Sequence, residues 1–375
     1  MTVGQGCIVA APSGAEFSGF AYPGSLVVLP DGGLLATFTG LRGKAPCCAV
    51  GAYSEDGGRT WGAPVILFGG DRLGPATSDL SEGYADPNLV VVDQHAVQIL
   101  CVSLRHDNEV LDLSRTRFWR RCSTDGGRTF GPVEELPRHR KYYVGMVSPG
   151  LRLVDGSLVM GYSWDKPAEV GRPADGEGTM DLVSGLLISR DEGKTWTPGG
   201  DCYADTTRAG DALAHATNGL DEPAVVELPD GELFLLGRTG THRLWQSRSR
   251  DRGQSWIPPE PSPLTSHNCP SALLKLADGA SVAVVYNDHP QQRLDLVLRI
   301  SGDGCRTWGP AILLGPLGQA SEQAQAAYPN LCQLPDGTVV VVFYQVDQGP
   351  HPTPFTIRAV RLAPAELPPP AASRT

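Results

Sequence analysis

Six places in the chain put chemically capable side chains where a repeated strand begins, and six more where the next strand ends. The first set is Tyr22, Asp86, Ser148, Glu222, Asn268 and Tyr328. The second is Arg42, Arg105 with His106, Trp164 with Asp165, Arg238, Asn287 with Asp288, and Tyr344 with Gln345. A guanidinium is planar, always charged and bidentate, so two arginines orient a carboxylate well. A phenol is a poor nucleophile at neutral pH, but a carboxylate placed beside it can take its proton. The same residues also admit plain structural readings. Arg238 and the further Arg293 could pair with Glu222 and Asp288, Tyr328 could be a packed core phenol, and Trp164 could be a rim aromatic instead of a ring-stacking platform. His106, His267 and His289, near the same face, read as solvated or hydrogen-bonded side chains rather than ligands.

The elements that must carry these residues are written as two interleaved repeats. One has the form S-x-D-x-G-x-[ST]-[WF], starting at Ser54, Ser123, Ser189, Ser249 and Ser301, at intervals of roughly 50–70 residues. A repeat of that period marks a propeller or a solenoid. Within each copy the Ser and Asp side chains can hold a tight turn by bonding nearby backbone N–H groups, and the terminal Trp or Phe can tuck between sheets. The five aspartates therefore read as structural, not catalytic.

The other repeat is an apolar strand, Asp-Gly, and a second apolar strand, which is the strongest short hairpin signal. Copies turn at Asp31-Gly32, Asp155-Gly156, Asp230-Gly231, Asp278-Gly279 and Asp336-Gly337, and a variant turns at Asp93-Gln94-His95. Six such hairpins, five of them followed by a box hairpin, predict an all-β, six-bladed β-propeller. The blades run over 20–68, 83–137, 144–201, 217–263, 266–315 and 325–362. The strand Gly6 to Ala10 has no hairpin partner of its own and is expected to complete the sixth blade and close the ring, removing an exposed edge. The chain reads as one propeller domain over 1–363 with a disordered Pro- and Ala-rich tail over 364–375. Insertions at Gly69–Glu82, Lys166–Thr179 and Cys202–Ala216 read as loops, the segments that often carry function on a rigid scaffold.

Composition narrows the partners. With 45 glycines and 32 prolines the chain suits many turns and not a helical protein. A formal net charge of −10 disfavours nucleic acid, whose phosphate backbone needs a basic face. No apolar run is long enough to span a bilayer, and the first residues lack a basic segment followed by an apolar one, so a cytoplasmic protein without a signal peptide is expected. The nine cysteines are scattered without C-x-x-C spacing and read as reduced core residues; neither a metal nor a cofactor is expected.

Repeated S-x-D-x-G-x-T-W boxes in a six-bladed propeller resemble the sialidase (neuraminidase) superfamily, over nearly the whole chain. Blade four matches closely, with Asn218-Gly219-Leu220-Asp221-Glu222-Pro223 and then Arg238-Thr239 ahead of its box. The resemblance implies that Tyr328, in Tyr328-Pro329-Asn330-Leu331, is a nucleophile with Glu222 beside it. It further implies that Arg238 and Arg293 hold a substrate carboxylate. Two positions depart from the pattern. Ala21-Tyr22-Pro23 stands where the family has Arg-Ile-Pro, and the loop from Gly40 to Cys48 lacks the family's acid/base Asp. Arg42 or Arg105 is the candidate to supply the missing charge, and Asp86 the missing acid. Tyr22, Trp164 and Asn287 complete the expected substrate-binding set. The implied activity is an exo-glycoside hydrolase acting on a terminal acidic sugar of a small molecule or oligosaccharide. The competing readings are a polysaccharide lyase or atypical glycosidase using His and Tyr, with His106 or His267 as base, and a non-catalytic carbohydrate-binding propeller.

Overall fold

In a computed structural model of the protein, six sheets of mainly antiparallel strands surround one axis. The structure describes residues 6–12, 16–42, 45–69, 82–107, 110–140, 143–144, 147–169, 180–210, 212–213, 217–317, 322–348 and 354–371. Blade one is Gly19–Val28, Leu34–Arg42, Ala45–Ser54 and Val65–Phe68, paired in chain order. Blade two repeats the arrangement from Glu82–Val91 to Glu134–Leu136, blade four from Asp221–Glu227 to Glu260–Thr265, and blade five from Ala272–Lys275 to Ile312–Gly315. Blade three has a broken inner strand, with Tyr143–Val144 and Leu151–Arg152 both pairing along Leu158–Asp165. Blade six takes its outermost strand from the other end of the chain. Cys7–Ala10 pairs antiparallel with Thr356–Leu362, closing the ring as anticipated.

Strand alternation explains where the core sits. Each blade has two faces, and successive side chains alternate between them, so blades pack face to face through residues such as Phe20 and Phe38 against Val342 and Tyr344. The joints between the other blades are filled in the same way, for example Leu158, Met160 and Tyr162 against Leu100 and Phe118. Asn330 also ties the ring across its axis. Its amide donates from blade six to Pro23 O at 2.9 Å and Val147 O at 3.1 Å.

The boxes staple the outer hairpins. In the third, Ser189 Oγ donates to Asp191 Oδ1 and accepts from Gly193 N–H, both at 2.8 Å. Asp191 also accepts from Thr195 N–H at 2.9 Å and Thr195 Oγ1 at 2.6 Å. The same bonds recur around Asp56, Asp125, Asp251 and Asp303. The two residues after each Asp are left-handed, and in three boxes one of them is not glycine: Glu192, Arg252 and Cys305. The side-chain bonds to the aspartate hold those residues in a conformation L residues disfavour. Boxes also lock neighbouring blades, since Arg128 of the second box pairs with Asp31 at 2.6 Å and Glu55 at 2.5 Å. Asp191→Ala is therefore expected to lower the melting temperature by several degrees while leaving ligand affinity unchanged, read by calorimetry and titration. A loss of affinity at unchanged stability would contradict a purely structural box.

Two expectations need correcting. The segment from Pro364 onward, read as disordered, is ordered as far as Ala371. It forms a short turn at Pro364–Glu366 and lies against blade five, where Ala371 N–H donates to Ile300 O at 3.2 Å and Pro370 packs on Gly302. Glycines at 302 and 309 leave the room that makes this contact possible. Lys166–Glu169, read as the start of a loop, forms one helical turn, and Thr206–Arg208 a 3-10 turn capped by Asp205. The insertion expected at Gly69–Glu82 falls mainly, and the rest of Lys166–Thr179 wholly, outside the described residues. No helix among the described residues is long and apolar enough to cross a membrane.

Candidate active site

The site is built by one local device used repeatedly. Tyr22, Asp86, Glu222 and Tyr328 each precede a proline at the head of an inner strand. Proline has no N–H to donate, so the ladder cannot run through it. The register slips there in all four blades, between Ala21 and Ser25, Ala85 and Asn88, Asp221 and Ala224, and Ala327 and Asn330. The residue before each proline has positive φ, 49°, 51°, 43° and 55° respectively, and Asn268 in blade five, which no proline follows, shares it with φ 40°. Such bulges re-aim a side chain, and non-glycine residues in this region are strained and cluster at functional sites.

What these bulges bring together is a closed hydrogen-bonded set. The Tyr328 hydroxyl donates to Glu222 Oε1 at 2.7 Å. Arg238 Nη1 donates to Glu222 Oε2 at 2.7 Å and to the Tyr328 oxygen at 3.0 Å, while its Nε donates to Asn268 Oδ1 at 2.8 Å. Arg293 Nη1 donates to the Tyr344 hydroxyl at 3.1 Å, and its guanidinium carbon lies 5.4 Å from the Tyr328 ring centroid. Tyr22 stands edge-on to Tyr328, with centroids 4.9 Å apart, and is the exposed member of the group at 36 %. Glu222, Arg238 and Tyr328 are buried. Arg238 Nη2 and Arg293 Nε take part in none of these bonds, which leaves donors for a ligand.

Electrostatics follow from crowding three acids together, Asp221 and Glu222 buried and Asp86 half-buried. Burial first, and then the neighbouring Glu222 and Asp221, push the Asp86 carboxyl up to about 8. Burial and Glu222 push Asp221 to about 7 against the pull of Arg238. Burial, reinforced by Glu222, holds the Tyr328 phenol well above its ordinary value, so it needs a base in contact to react. A carboxyl with a raised folded-state pKa stabilises the fold below its unfolded value, about 4, and that contribution is lost as pH rises through the folded value. The melting temperature is thus expected to fall as pH is raised from about 6 to about 9. Asp86→Asn should flatten that slope, measured by thermal scans across the range; an unchanged slope would mean that Asp86 is not held above its ordinary range.

Several expected members lie elsewhere. Trp164 is not a platform. It is buried between blades, with Arg140 stacked 4.2 Å from its ring and its Nε1 donating to Asp201 at 3.2 Å. Asn287 is fully buried, donating to the Leu294 and Ala326 carbonyls and accepting from Cys269 Sγ, so it satisfies backbone and not substrate. Arg42 is half-buried on the Cys48 side of blade one and joins none of the bonds of the Tyr328 group. Arg105 sits where its strand backbone pairs with Glu82 and Asp112, and its side chain, like that of His106, lies outside the described residues. Asp288 pairs with Arg299 at 2.8 Å, leaving Arg293 to the site. Three partners were not assigned roles from the sequence: Tyr344, Asn268 and Asp221. Tyr344 and Asn268 stood in the strand-end sets, and Asp221 adjoins Glu222, so their places were the available signal.

A six-bladed propeller of boxed hairpins, with a Tyr–Glu–Arg cluster at the heads of its inner strands, defines the class. Comparison with known proteins agrees: residues 34–341 match the BNR repeat-like domain family, and the chain belongs to that family, within the sialidase superfamily. It is 26% identical over 366 residues to a sialidase of Micromonospora viridifaciens, covering 89% of this chain and 51% of that one. The chain thus spans about half the length of that relative. Among solved structures, a protein of unknown function from Dyadobacter fermentans superposes with a TM-score of 0.73 at 19% identity, covering 96% of this chain and 98% of that one. A Streptococcus pneumoniae sialidase superposes with a TM-score of 0.73 at 14% identity, covering 97% of this chain and 71% of that one. Likenesses at these identities bear on the fold.

Proposed function

We propose that this protein is a sialidase-type exo-glycoside hydrolase that removes a terminal carboxylated sugar with retention of configuration. The observation that carries the reading is the 2.7 Å bond from the Tyr328 hydroxyl to Glu222 Oε1, with Arg238 bonded to the Tyr328 oxygen and to Glu222 Oε2. Glu222 takes the phenolic proton as Tyr328 Oη attacks the anomeric carbon. The bond to the leaving oxygen breaks, and Asp86, still protonated near neutral pH, supplies that oxygen's proton. Asp86 then deprotonates a water, which attacks the same carbon. The Tyr328–sugar bond breaks, and the phenolate recovers its proton from Glu222. A tyrosine nucleophile is a known variant of two-carboxylate glycosidases, and being neutral before attack it does not repel an anionic sugar.

Arg238 and Arg293 hold the carboxylate, and Tyr22, in the place of a third arginine, offers a ring face and a hydroxyl. The clamp is weaker in charge than three guanidiniums, so affinity for the acid should be modest and more dependent on the aromatic wall. A panel of chromogenic glycosides of sialic acid, its deaminated analogue and the uronic acids tests the reading. Turnover of a carboxylated glycoside with release of a retained product supports it. Release of an unsaturated product absorbing in the ultraviolet would favour the lyase alternative, and saturable binding without turnover of any member would favour a binding module.

A further inference from the structure

Four inner strands slip register at their heads. The last residue paired before each slip is Ala21, Ala85, Asp221 and Ala327, in blades one, two, four and six. All four are buried, so blade four alone of these puts a carboxyl where its counterparts put a methyl group. The bulge does not call for it, since the alanine blades reach the same positive φ at the next residue. Nor does the Glu222 N–H. That group donates to Asp221 Oδ1 at 2.8 Å, but also to Ser163 Oγ of blade three at 2.9 Å. In blade two the equivalent N–H, that of Asp86, donates to a hydroxyl in the same way, Thr39 Oγ1 of blade one at 3.4 Å. A buried carboxyl is costly to keep. The charged group that faces this one is Arg238, whose Nη1 lies 3.9 Å from Asp221 Oδ2. Among the described residues, Glu222 and Asp221 are the acids in ion-pair reach of Arg238.

Proton transfer gives the second acid a task. At rest Glu222 balances Arg238 at 2.7 Å. Once Glu222 has taken the phenolic proton it is neutral, and the buried Arg238 loses that partner. A substrate carboxylate does not make up the difference, because it is present both before and after the transfer. An uncompensated buried charge is strongly unfavourable. We propose that Asp221 is a positioning residue that acts through Arg238, as the carboxylate that takes over its ion pair while Glu222 carries the proton. This rests on the Tyr328–Glu222 reading of the reaction, but one arm of its test needs no turnover. The groups that face Asp221 are Glu222 and Arg238 of its own blade, the Ser163 hydroxyl of blade three and Asp86 of blade two. Burial and Glu222, against the pull of Arg238, bring its carboxyl to about 7, so it ionises in the range where the enzyme would work.

The stability arm is a double-mutant cycle on the full chain. Glu222→Gln gives Arg238 a permanently neutral neighbour of the same shape, as in the glycosylated state. Asp221→Ala should be tolerated in the parent, because three blades already carry alanine at that place. In the Glu222→Gln background the same change leaves Arg238 unpaired. The melting temperature should then fall about 5–10 °C further than the two single changes add up to. Additive shifts would overturn the proposal. The kinetic arm uses an aryl sialoside, and it decides alone if Glu222→Gln does not fold. In the parent, kcat should climb as pH rises through about 7, where Asp221 ionises, and fall as Asp86 loses its proton near 8. Asp221→Asn should abolish that climb and cut kcat by at least ~10-fold, with KM within about threefold of the parent. An unchanged pH profile, or a loss confined to KM, would overturn the role. Non-additive melting shifts in a protein that leaves the sialoside intact would uphold Asp221 as the partner of Arg238 and count against the hydrolase reading alone.

Discussion

Tyr328→Phe is expected to cut kcat by at least ~10³-fold while ligand affinity stays within about threefold of the parent. The change removes one oxygen. The ring keeps its contacts with Tyr22 at 4.9 Å and Tyr344 at 5.7 Å, and the Arg293 guanidinium stays over its face. What disappears is the atom that attacks and the donor to Glu222 Oε1. Glu222 keeps its bond to Arg238, so the carboxylate is not stranded, and the stability cost should stay near that of the two hydrogen bonds lost with the oxygen, the one to Glu222 and the one from Arg238, about 1.5–3 kcal/mol each. Stopped-flow turnover and calorimetric binding on the same variant check both halves. Loss of binding in step with turnover would make Tyr328 a structural or binding phenol, the alternative that the sequence left open.

The second large effect belongs to Arg238, and its two substitutions should separate charge from shape. Arg238→Met leaves Glu222 buried without its ion pair at 2.7 Å, and Asp221 without the guanidinium 3.9 Å away. Removing one partner of a buried pair costs about 3–5 kcal/mol. At roughly 2–4 °C per kcal/mol the melting temperature should drop by on the order of 10 °C. Arg238→Lys keeps a positive charge but cannot reach Glu222, Tyr328 and Asn268 together while presenting a free Nη2. It should fold, with a smaller drop, and bind an acidic sugar roughly 10–100-fold more weakly, as expected for one or two lost charge-assisted bonds. A lysine variant that binds as well as the parent would remove Arg238 from the carboxylate clamp.

The sequence made the scaffold legible because its signals are local. An Asp-Gly or a serine–aspartate box fixes a turn, a turn fixes a hairpin, and six paired hairpins leave few architectures to choose from. The heads of the inner strands were legible for the same reason, since aligning the six hairpins picks out where each first strand begins. Glu222, Arg238, Arg293 and Tyr328 therefore meet as their positions implied, although they are far apart in sequence. Side-chain direction at the far end of a strand was less legible. Trp164 and Asn287 end their strands as anticipated, but the face each presents was decided by partners on other segments: Arg140 and Asp201 for Trp164, and the Leu294 and Ala326 carbonyls for Asn287. Composition misled at the tail. Proline and alanine lower the chance of independent structure, yet the tail needs none, because it borrows the Ile300 carbonyl and the space beside Gly302 and Gly309.

The central claim is that Tyr328 becomes covalently glycosylated during turnover. A fluorinated glycosyl fluoride of the best carboxylated substrate forms the intermediate faster than water resolves it. Intact-mass spectrometry followed by peptide mapping then reads the adduct. The account predicts one glycosyl unit per chain, carried on Tyr328, lost on prolonged incubation, and absent from Tyr328→Phe. An adduct on any other residue, or unlabelled Tyr328 in a preparation that turns the substrate over, would contradict it.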